Sequence, residues 1–155
     1  MEAQLLEKTG TTVALRRVFQ APKSKVYQAW IDPGMMNNWL FPDAGMHAVC
    51  SVELRVGGRY EVQMHPPEGA PEGVPLVVAG VYREIVPEEK LVFTWQWQGD
   101  EANEETLITV SFRSINDGET ELTLLHERFG SEESRDNHAQ GWEGTFAQLA
   151  LALSD

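Results

Sequence analysis

Hydrophobic and polar residues alternate along most of the chain, a pattern that predicts β-strands. The predicted strands are Thr11 to Phe19, Cys50 to Val56, Tyr60 to Met64, Leu76 to Val86, Leu91 to Trp97, Thr106 to Ile115 and Thr120 to Phe129. Gly57-Gly58 predicts a tight reversal, and Asn116-Asp117-Gly118 predicts a turn. Successive hairpins of this kind build an antiparallel sheet with one apolar face and one wet face.

Helical spacing of apolar residues appears directly after the first strand and again at the C-terminus. A short helix is predicted to begin near Pro22 and to reach Ile31, and Asp32-Pro33 caps a second helix ending at Trp39. Ser131 caps a long helix to Ser154, which spans about 36 Å at 1.5 Å per residue. Its apolar stripe comprises His138, Trp142, Phe146, Leu149 and Leu153.

A long helix with one apolar stripe needs a concave apolar surface against which to lie, and the inner face of the sheet supplies it. We therefore expect an α+β helix-grip fold over residues 1–155 as a single domain. In this fold a curved antiparallel sheet wraps round a long C-terminal helix, and two short helices follow the first strand. The loop from His65 to Pro75 contains four prolines and is predicted to bulge from the sheet.

An ordered set of short motifs resembles the activator-of-heat-shock-protein-90-ATPase-like family of the START-like superfamily. The motifs are Ala21-Pro22 with Val26 and Trp30, Asp32-Pro33, Trp39 before Pro42, Leu54-Arg55-Val56-Gly57-Gly58-Arg59-Tyr60, Gly80 to Leu91 with Pro87, Phe93-Thr94-Trp95, and Gly141-Trp142. They cover residues 12–153. The resemblance implies a small domain that holds an apolar ligand between sheet and helix. It also implies a link to stimulation of a chaperone ATPase.

The charge balance narrows the class of partner. The chain carries 24 acidic and 12 basic residues, for a net charge of -12. Such a surface repels phosphate backbones and anionic lipids, so we expect neither nucleic acid nor membrane as a partner. The N-terminus lacks the pattern of a signal peptide, and the single cysteine, Cys50, suits a reducing compartment, so a cytoplasmic location is predicted. The sequence is compatible with a monomer or a homodimer, and the acidic run from Asp100 to Glu105 is predicted to be a solvated loop.

Inward-facing aromatic residues predict a ligand site between the sheet and the last helix. The predicted ligand-binding residues are Tyr60, Met64, Trp95, Trp97, Phe112, His126, Trp142 and Phe146. The alternative is that these side chains only fill the core. Gly141 and Gly144 each cost about 1 kcal/mol inside a helix, which implies either close backbone packing or a helix that bends round a ligand.

Three functions remain open on the sequence. The first is non-enzymatic binding of a small apolar or aromatic molecule. The second is a protein-interaction module that stimulates a chaperone ATPase, and the third is an aromatase/cyclase-like enzyme with His126, Arg128 or Tyr60 in the cavity. The scattered histidines, the absence of a Gly-x-Ser-x-Gly motif and a Cys50 predicted to be buried and inert predict no metal, cofactor or catalytic nucleophile.

Overall fold

The computed structural model describes residues 3–67, 76–99 and 104–154. Most of the proline-rich loop, residues 68–75, and most of the acidic run, residues 100–103, lie outside the described residues. The predictions for these two segments therefore stay predictions.

In the part of the chain that the structure describes, eight strands form one antiparallel sheet in the order β1-β2-β8-β7-β6-β5-β4-β3. Their bounds are β1 Gln4–Thr9, β2 Thr12–Phe19, β3 His47–Val52, β4 Arg59–His65, β5 Leu76–Val86, β6 Lys90–Trp97, β7 Thr106–Asn116 and β8 Glu119–Glu127. From β3 to β8 each strand pairs with the next, as the alternation predicts. The last strand, β8, pairs with β2, which joins the β1–β2 hairpin to the rest of the sheet.

Three helices complete the architecture of the described residues: α1 Lys23–Ile31, α2 Pro33–Met36 and α3 Glu132–Leu153. The Asp32 side chain accepts a hydrogen bond from the backbone N–H of Gly34 and caps α2, whose first residue is Pro33. Ser131 caps α3 in the same way, by accepting from the backbone N–H of Ser134. The segment with α1 and α2 connects β2 to β3 at the far edge of the sheet. The predicted helix-grip fold is confirmed.

Several predicted boundaries are wrong at the ends of elements. The strand β1 was not predicted, because Leu5 and Leu6 do not alternate with polar residues; both are exposed on this edge strand. The strand predicted to reach Val56 ends at Val52, so the reversal at Gly57-Gly58 is part of a longer connection over residues 53–58. Leu54 and Val56 are exposed there, which shows that alternation alone does not establish pairing.

Two other elements also end earlier than their patterns predict. The helix α2 ends at Met36, three residues before the predicted Trp39. The strand β8 ends at Glu127 because Arg128 has a left-handed backbone conformation (φ 73°), which turns the chain toward α3. Phe129 is nevertheless buried beyond that turn.

The core lies between the apolar face of the sheet and α3. Leu122, Leu124 and Ile108 from the central strands are fully buried, as are Phe146 and Leu149 from α3. The segment after α2 crosses over the same side, and Trp39 in it is completely buried. This segment and α3 together cover the sheet and frame the site described next.

Candidate functional site: a cavity beside the C-terminal helix

A cavity of about 290 Å³ opens between the sheet, the middle of α3 and the segment after α2. The lining is almost wholly apolar and comprises Leu40, Pro42, Met64, Leu76, Trp95, Trp97, Asn137, His138, Gly141, Trp142 and Thr145. We call this space the apolar cavity. Its size is at the lower end of the range for small-molecule sites, roughly 300–1,000 Å³.

The eight predicted ligand-binding residues divide into two groups. Met64, Trp95, Trp97 and Trp142 line the apolar cavity. The other four, Tyr60, Phe112, His126 and Phe146, are buried but do not line it. Their inward direction was predicted correctly, since strand and helix periodicity determine the face. Their distance from the open space was not predictable, because it depends on how the layers pack.

Phe112 and Phe146 contribute to packing in the core. The Phe112 ring meets Tyr27 edge-on, with ring centroids 5.5 Å apart. The Phe146 ring meets Phe19 and Trp142 in the same manner, at 6.0 and 6.2 Å. Edge-to-face contacts of this kind fill the core and hold Trp142 from behind.

His126 lies at the centre of a buried hydrogen-bond chain. The Trp142 indole N–H donates to His126 Nδ1 at 3.0 Å, and His126 Nε2 lies 2.7 Å from Thr106 Oγ1. Thr106 Oγ1 donates its proton to the carbonyl oxygen of Trp95, so the proton between the histidine and the threonine belongs to Nε2. His126 is therefore a neutral imidazole, and its role is to hold Trp142 at the cavity wall. Burial, and then the neighbouring His138, hold its pKa well below the ordinary 6.5.

His138 forms a second pair of the same kind at the cavity itself. Trp97 Nε1 donates to His138 Nε2 at 2.9 Å, and His138 Nδ1 donates to the carbonyl oxygen of Ser134 at 2.8 Å. Burial lowers the pKa of His138 below 6.5, against a smaller opposing effect of the Ser134 carbonyl. Both histidines thus accept a hydrogen bond from a tryptophan that lines the cavity. These polar contacts hold Trp97 and Trp142 in place and engage both ring nitrogens of each histidine.

The two glycines inside α3 serve different purposes. A Cβ atom added at Gly144 would lie 2.2 Å from the carbonyl oxygen of Pro42, so this glycine allows close backbone approach. A Cβ atom added at Gly141 would meet nothing within 4 Å, and Gly141 lines the apolar cavity. Close packing thus explains Gly144, whereas a side chain at Gly141 would extend into open space at a position that borders the apolar cavity.

Several cavity residues were missed by sequence reasoning. Leu40 and Pro42 belong to the segment after α2, which carries no periodic pattern, while Asn137 and Thr145 look like ordinary polar helix positions. Gly141, which also lines the cavity, did carry a signal in the sequence, because a glycine inside a helix is costly. Arg128, which the enzyme alternative would place in the cavity with His126, is exposed and lies beyond the end of β8, so that placement is wrong.

Metal binding and membrane insertion gain no support from the described part of the chain. The rings of His47 and His65 stack across β3 and β4 with centroids 4.7 Å apart, a pairing that the sequence did not reveal. Within residues 3–67, 76–99 and 104–154, however, no three histidine, cysteine or acidic side chains come together as metal ligands would. No helix in these ranges has the length and hydropathy needed to cross a membrane.

Solved structures of several bacterial proteins resemble this fold over nearly the full chain. Protein CV1439 from Chromobacterium violaceum is 28% identical, with a TM-score of 0.79 over 94% of this chain and 98% of that one. A protein from Rhodobacter sphaeroides is 24% identical, with a TM-score of 0.81 over 99% of both chains. The AHSA1 protein from Silicibacter pomeroyi is 23% identical, with a TM-score of 0.77 over 92% of this chain and 97% of that one. No curated protein matches the chain.

The family comparison agrees with the motifs and with the fold. The model of the family described as activator of Hsp90 ATPase homolog 1-like protein matches residues 20–154, which include α1, α2, most of the sheet and the whole of α3. The chain belongs to the family of activator of Hsp90 ATPase homolog 1-like proteins.

Proposed function

We propose that this protein binds a small apolar or aromatic molecule in the apolar cavity and does not transform it. The observation that carries the proposal is a space of about 290 Å³ with almost entirely apolar walls, next to the buried face of α3. The cavity opens to solvent beside the exposed Leu76, so its apolar walls face water, which is unfavourable. A ligand that fills the space removes this apolar surface from water.

The arrangement of the walls supports the same function. Trp95 meets Trp97 edge-on at 5.7 Å and is tilted against Trp142 at 5.2 Å, so three indoles border one space. Their ring faces and edges suit an aromatic guest. Met64 adds a flexible side chain that adapts to the shape of the ligand. Gly141 keeps the opposite wall free, at the expense of helix propensity.

The test is a titration with N-phenyl-1-naphthylamine, a neutral fluorescent probe. It uses two matched variants of the protein, one that fills the cavity and one that leaves it unchanged. Gly141→Leu places a side chain into the open space, whereas Ala147→Leu adds the same side chain at an exposed position of α3. We expect saturable binding to the wild-type protein and to Ala147→Leu, and at least tenfold weaker binding to Gly141→Leu. Substituting Trp142 is less informative, since that change also removes the hydrogen bond to His126.

Native mass spectrometry of the protein from its own host complements the titration. A retained apolar molecule that also quenches tryptophan fluorescence would identify the ligand class. The proposal is wrong if Gly141→Leu is folded and binds the probe as tightly as the wild type.

A second candidate function, stimulation of a chaperone ATPase, is favoured by the family match alone. In that case a protein surface acts and the cavity is incidental. The ATPase rate of an Hsp90-type chaperone, measured with and without this protein, distinguishes the two. Stimulation that persists in Gly141→Leu would assign that activity to the surface.

The aromatase/cyclase-like alternative has less support from the geometry. It requires polar groups free to act in the cavity, yet both ring nitrogens of His126 are engaged and Arg128 is exposed. The Tyr60 hydroxyl donates to the carbonyl oxygen of Thr94, so its proton points to the backbone.

A further inference from the structure

The indole N–H groups of the five tryptophans fall into two sets. Three of them donate at 2.9–3.0 Å to a carbonyl oxygen or a histidine nitrogen: Trp39 to Ala29, Trp97 to His138 and Trp142 to His126. Those of Trp30 and Trp95 are buried and have no hydrogen-bond partner in the described part of the chain. Each side chain is only 4% exposed. A buried donor without a partner is costly, so the two call for a physical explanation.

Both unpaired indoles line one small space. This void of about 20 Å³ has Trp30 and Trp95 in its wall together with Leu40 and Tyr60. Leu40 and Trp95 also line the apolar cavity, so the two spaces adjoin at these side chains. The Tyr60 hydroxyl is already bonded to a backbone carbonyl. The void therefore offers room for about one atom-sized group beside two indoles whose N–H groups lack an acceptor.

We propose that the void receives a hydrogen-bond acceptor of the bound ligand, with Trp30 and Trp95 as its donors. This inference rests on the proposed function, because it places the body of the ligand in the apolar cavity. A carbonyl oxygen has two lone pairs and so can accept from both indoles at once. Leu40 and Trp95 border both spaces, so the oxygen would reach the void between the groups that the two spaces share.

The charges around the site restrict the ligand further. Within the described residues, no lysine or arginine lines either space, and His138 is neutral. A carboxylate would lose its hydration without gaining an opposite charge, which is strongly unfavourable. The ligand class is therefore a neutral aromatic carbonyl compound, such as an aromatic ketone, aldehyde or ester.

A single water molecule is the competing occupant, since a space of this size admits about one. Water also offers two lone pairs to the two donors. The two cases differ when a ligand binds: a carbonyl group displaces the water, whereas an independent structural water stays on both indoles.

The experiment compares two probes of nearly the same shape, 2-acetylnaphthalene and 2-isopropenylnaphthalene. They differ only in a carbonyl oxygen that replaces a methylene carbon. Each is titrated against the wild type, Trp95→Phe and the control Trp97→Phe, whose indole donor is already engaged by His138. Because both probes are measured on the same variant, any loss of folded protein cancels in the ratio of affinities.

We expect the affinity ratio of ketone to alkene to fall about three- to tenfold in Trp95→Phe and to be unchanged in Trp97→Phe. In ¹⁵N-edited NMR spectra the ketone should also move the indole N–H resonances of Trp30 and Trp95 further downfield than the alkene does, because only the ketone adds a hydrogen bond. An equal ratio in the wild type and Trp95→Phe overturns the inference but leaves cavity binding intact. If neither probe binds the folded wild type, the proposed function fails and the inference fails with it. An ordered water still bonded to both indoles in a crystal structure of the ketone complex overturns the inference as well.

Discussion

The two glycines of α3 provide a sharp test of how the site is built. Replacing either by alanine is the same chemical change, three positions apart in one helix. At Gly141 the new methyl group enters open space, so only the gain in helix propensity remains, about 0.5–1 kcal/mol of added stability. At Gly144 it meets the Pro42 carbonyl oxygen at 2.2 Å, and either α3 or the Pro42 segment must move. Overpacking of this kind costs about 1–3 kcal/mol, which exceeds the propensity gain.

The assay is urea and thermal unfolding of the wild type, Gly141→Ala and Gly144→Ala under identical conditions. For a chain of 155 residues, 1 kcal/mol corresponds to about 2–4 °C in Tm. We expect Gly141→Ala to unfold about 1–4 °C above the wild type and Gly144→Ala several degrees below it. The Gly141→Ala protein should also bind N-phenyl-1-naphthylamine more weakly, because its methyl group takes up cavity space.

A stability gain combined with weaker binding would mean that the glycine is kept for the cavity and not for the helix. The reasoning is refuted if Gly141→Ala destabilises the protein by more than about 0.5 kcal/mol, since the position would then not be open. It is also refuted if the two variants have the same stability, because the difference in their surroundings would then have no energetic effect.

Three further predictions concern the two histidines, a closely packed glycine and the half-buried thiol of Cys50. Below pH 6.5 the free energy of unfolding should fall as the pH falls, because the native pKa values of His126 and His138 are lowered and the unfolded chain binds protons that the native state does not. Each histidine contributes up to about 1.4 kcal/mol per pH unit to the slope of unfolding free energy against pH, which corresponds to one proton. Urea denaturation of His138→Gln at several pH values should therefore give a smaller slope than the wild type, and an unchanged slope would contradict this. Gly80→Ala should cost at least about 2 kcal/mol in thermal unfolding, because its Cβ would lie 1.9 Å from a carbonyl oxygen of β6, whereas Gly118→Ala, with no contact closer than 3.9 Å, should be close to neutral. Burial raises the pKa of Cys50 to about 12, so iodoacetamide at pH 8 should label the native thiol much more slowly than the urea-unfolded one, and equal rates would show that the thiol is not protected.

Some features of the site could be predicted from the chain alone because they depend on local periodicity. Side chains alternate along a strand, so the alternation by itself assigns Trp95, Trp97 and His126 to the inner face. The helical spacing placed Trp142 on the same side of the core. The order of strands and helices, with the motifs, was enough to predict the helix-grip fold.

Other features depend on distances between segments that are far apart in sequence. The partners of the indole groups are of this kind: Trp142 finds His126 in the facing strand, while Trp95 finds no acceptor among the described residues. Leu40 and Pro42 reach the cavity only because the segment after α2 crosses over the sheet. No local pattern encodes these contacts.

Gly141 and Gly144 show where the boundary lies. The sequence by itself determined that two glycines interrupt a long amphipathic helix and that something must offset their cost. Only the tertiary structure decided that one faces the Pro42 backbone and the other faces open space. The physical reason is that helix periodicity specifies the direction of a side chain, whereas the curvature of the sheet and the path of a distant segment specify what lies there.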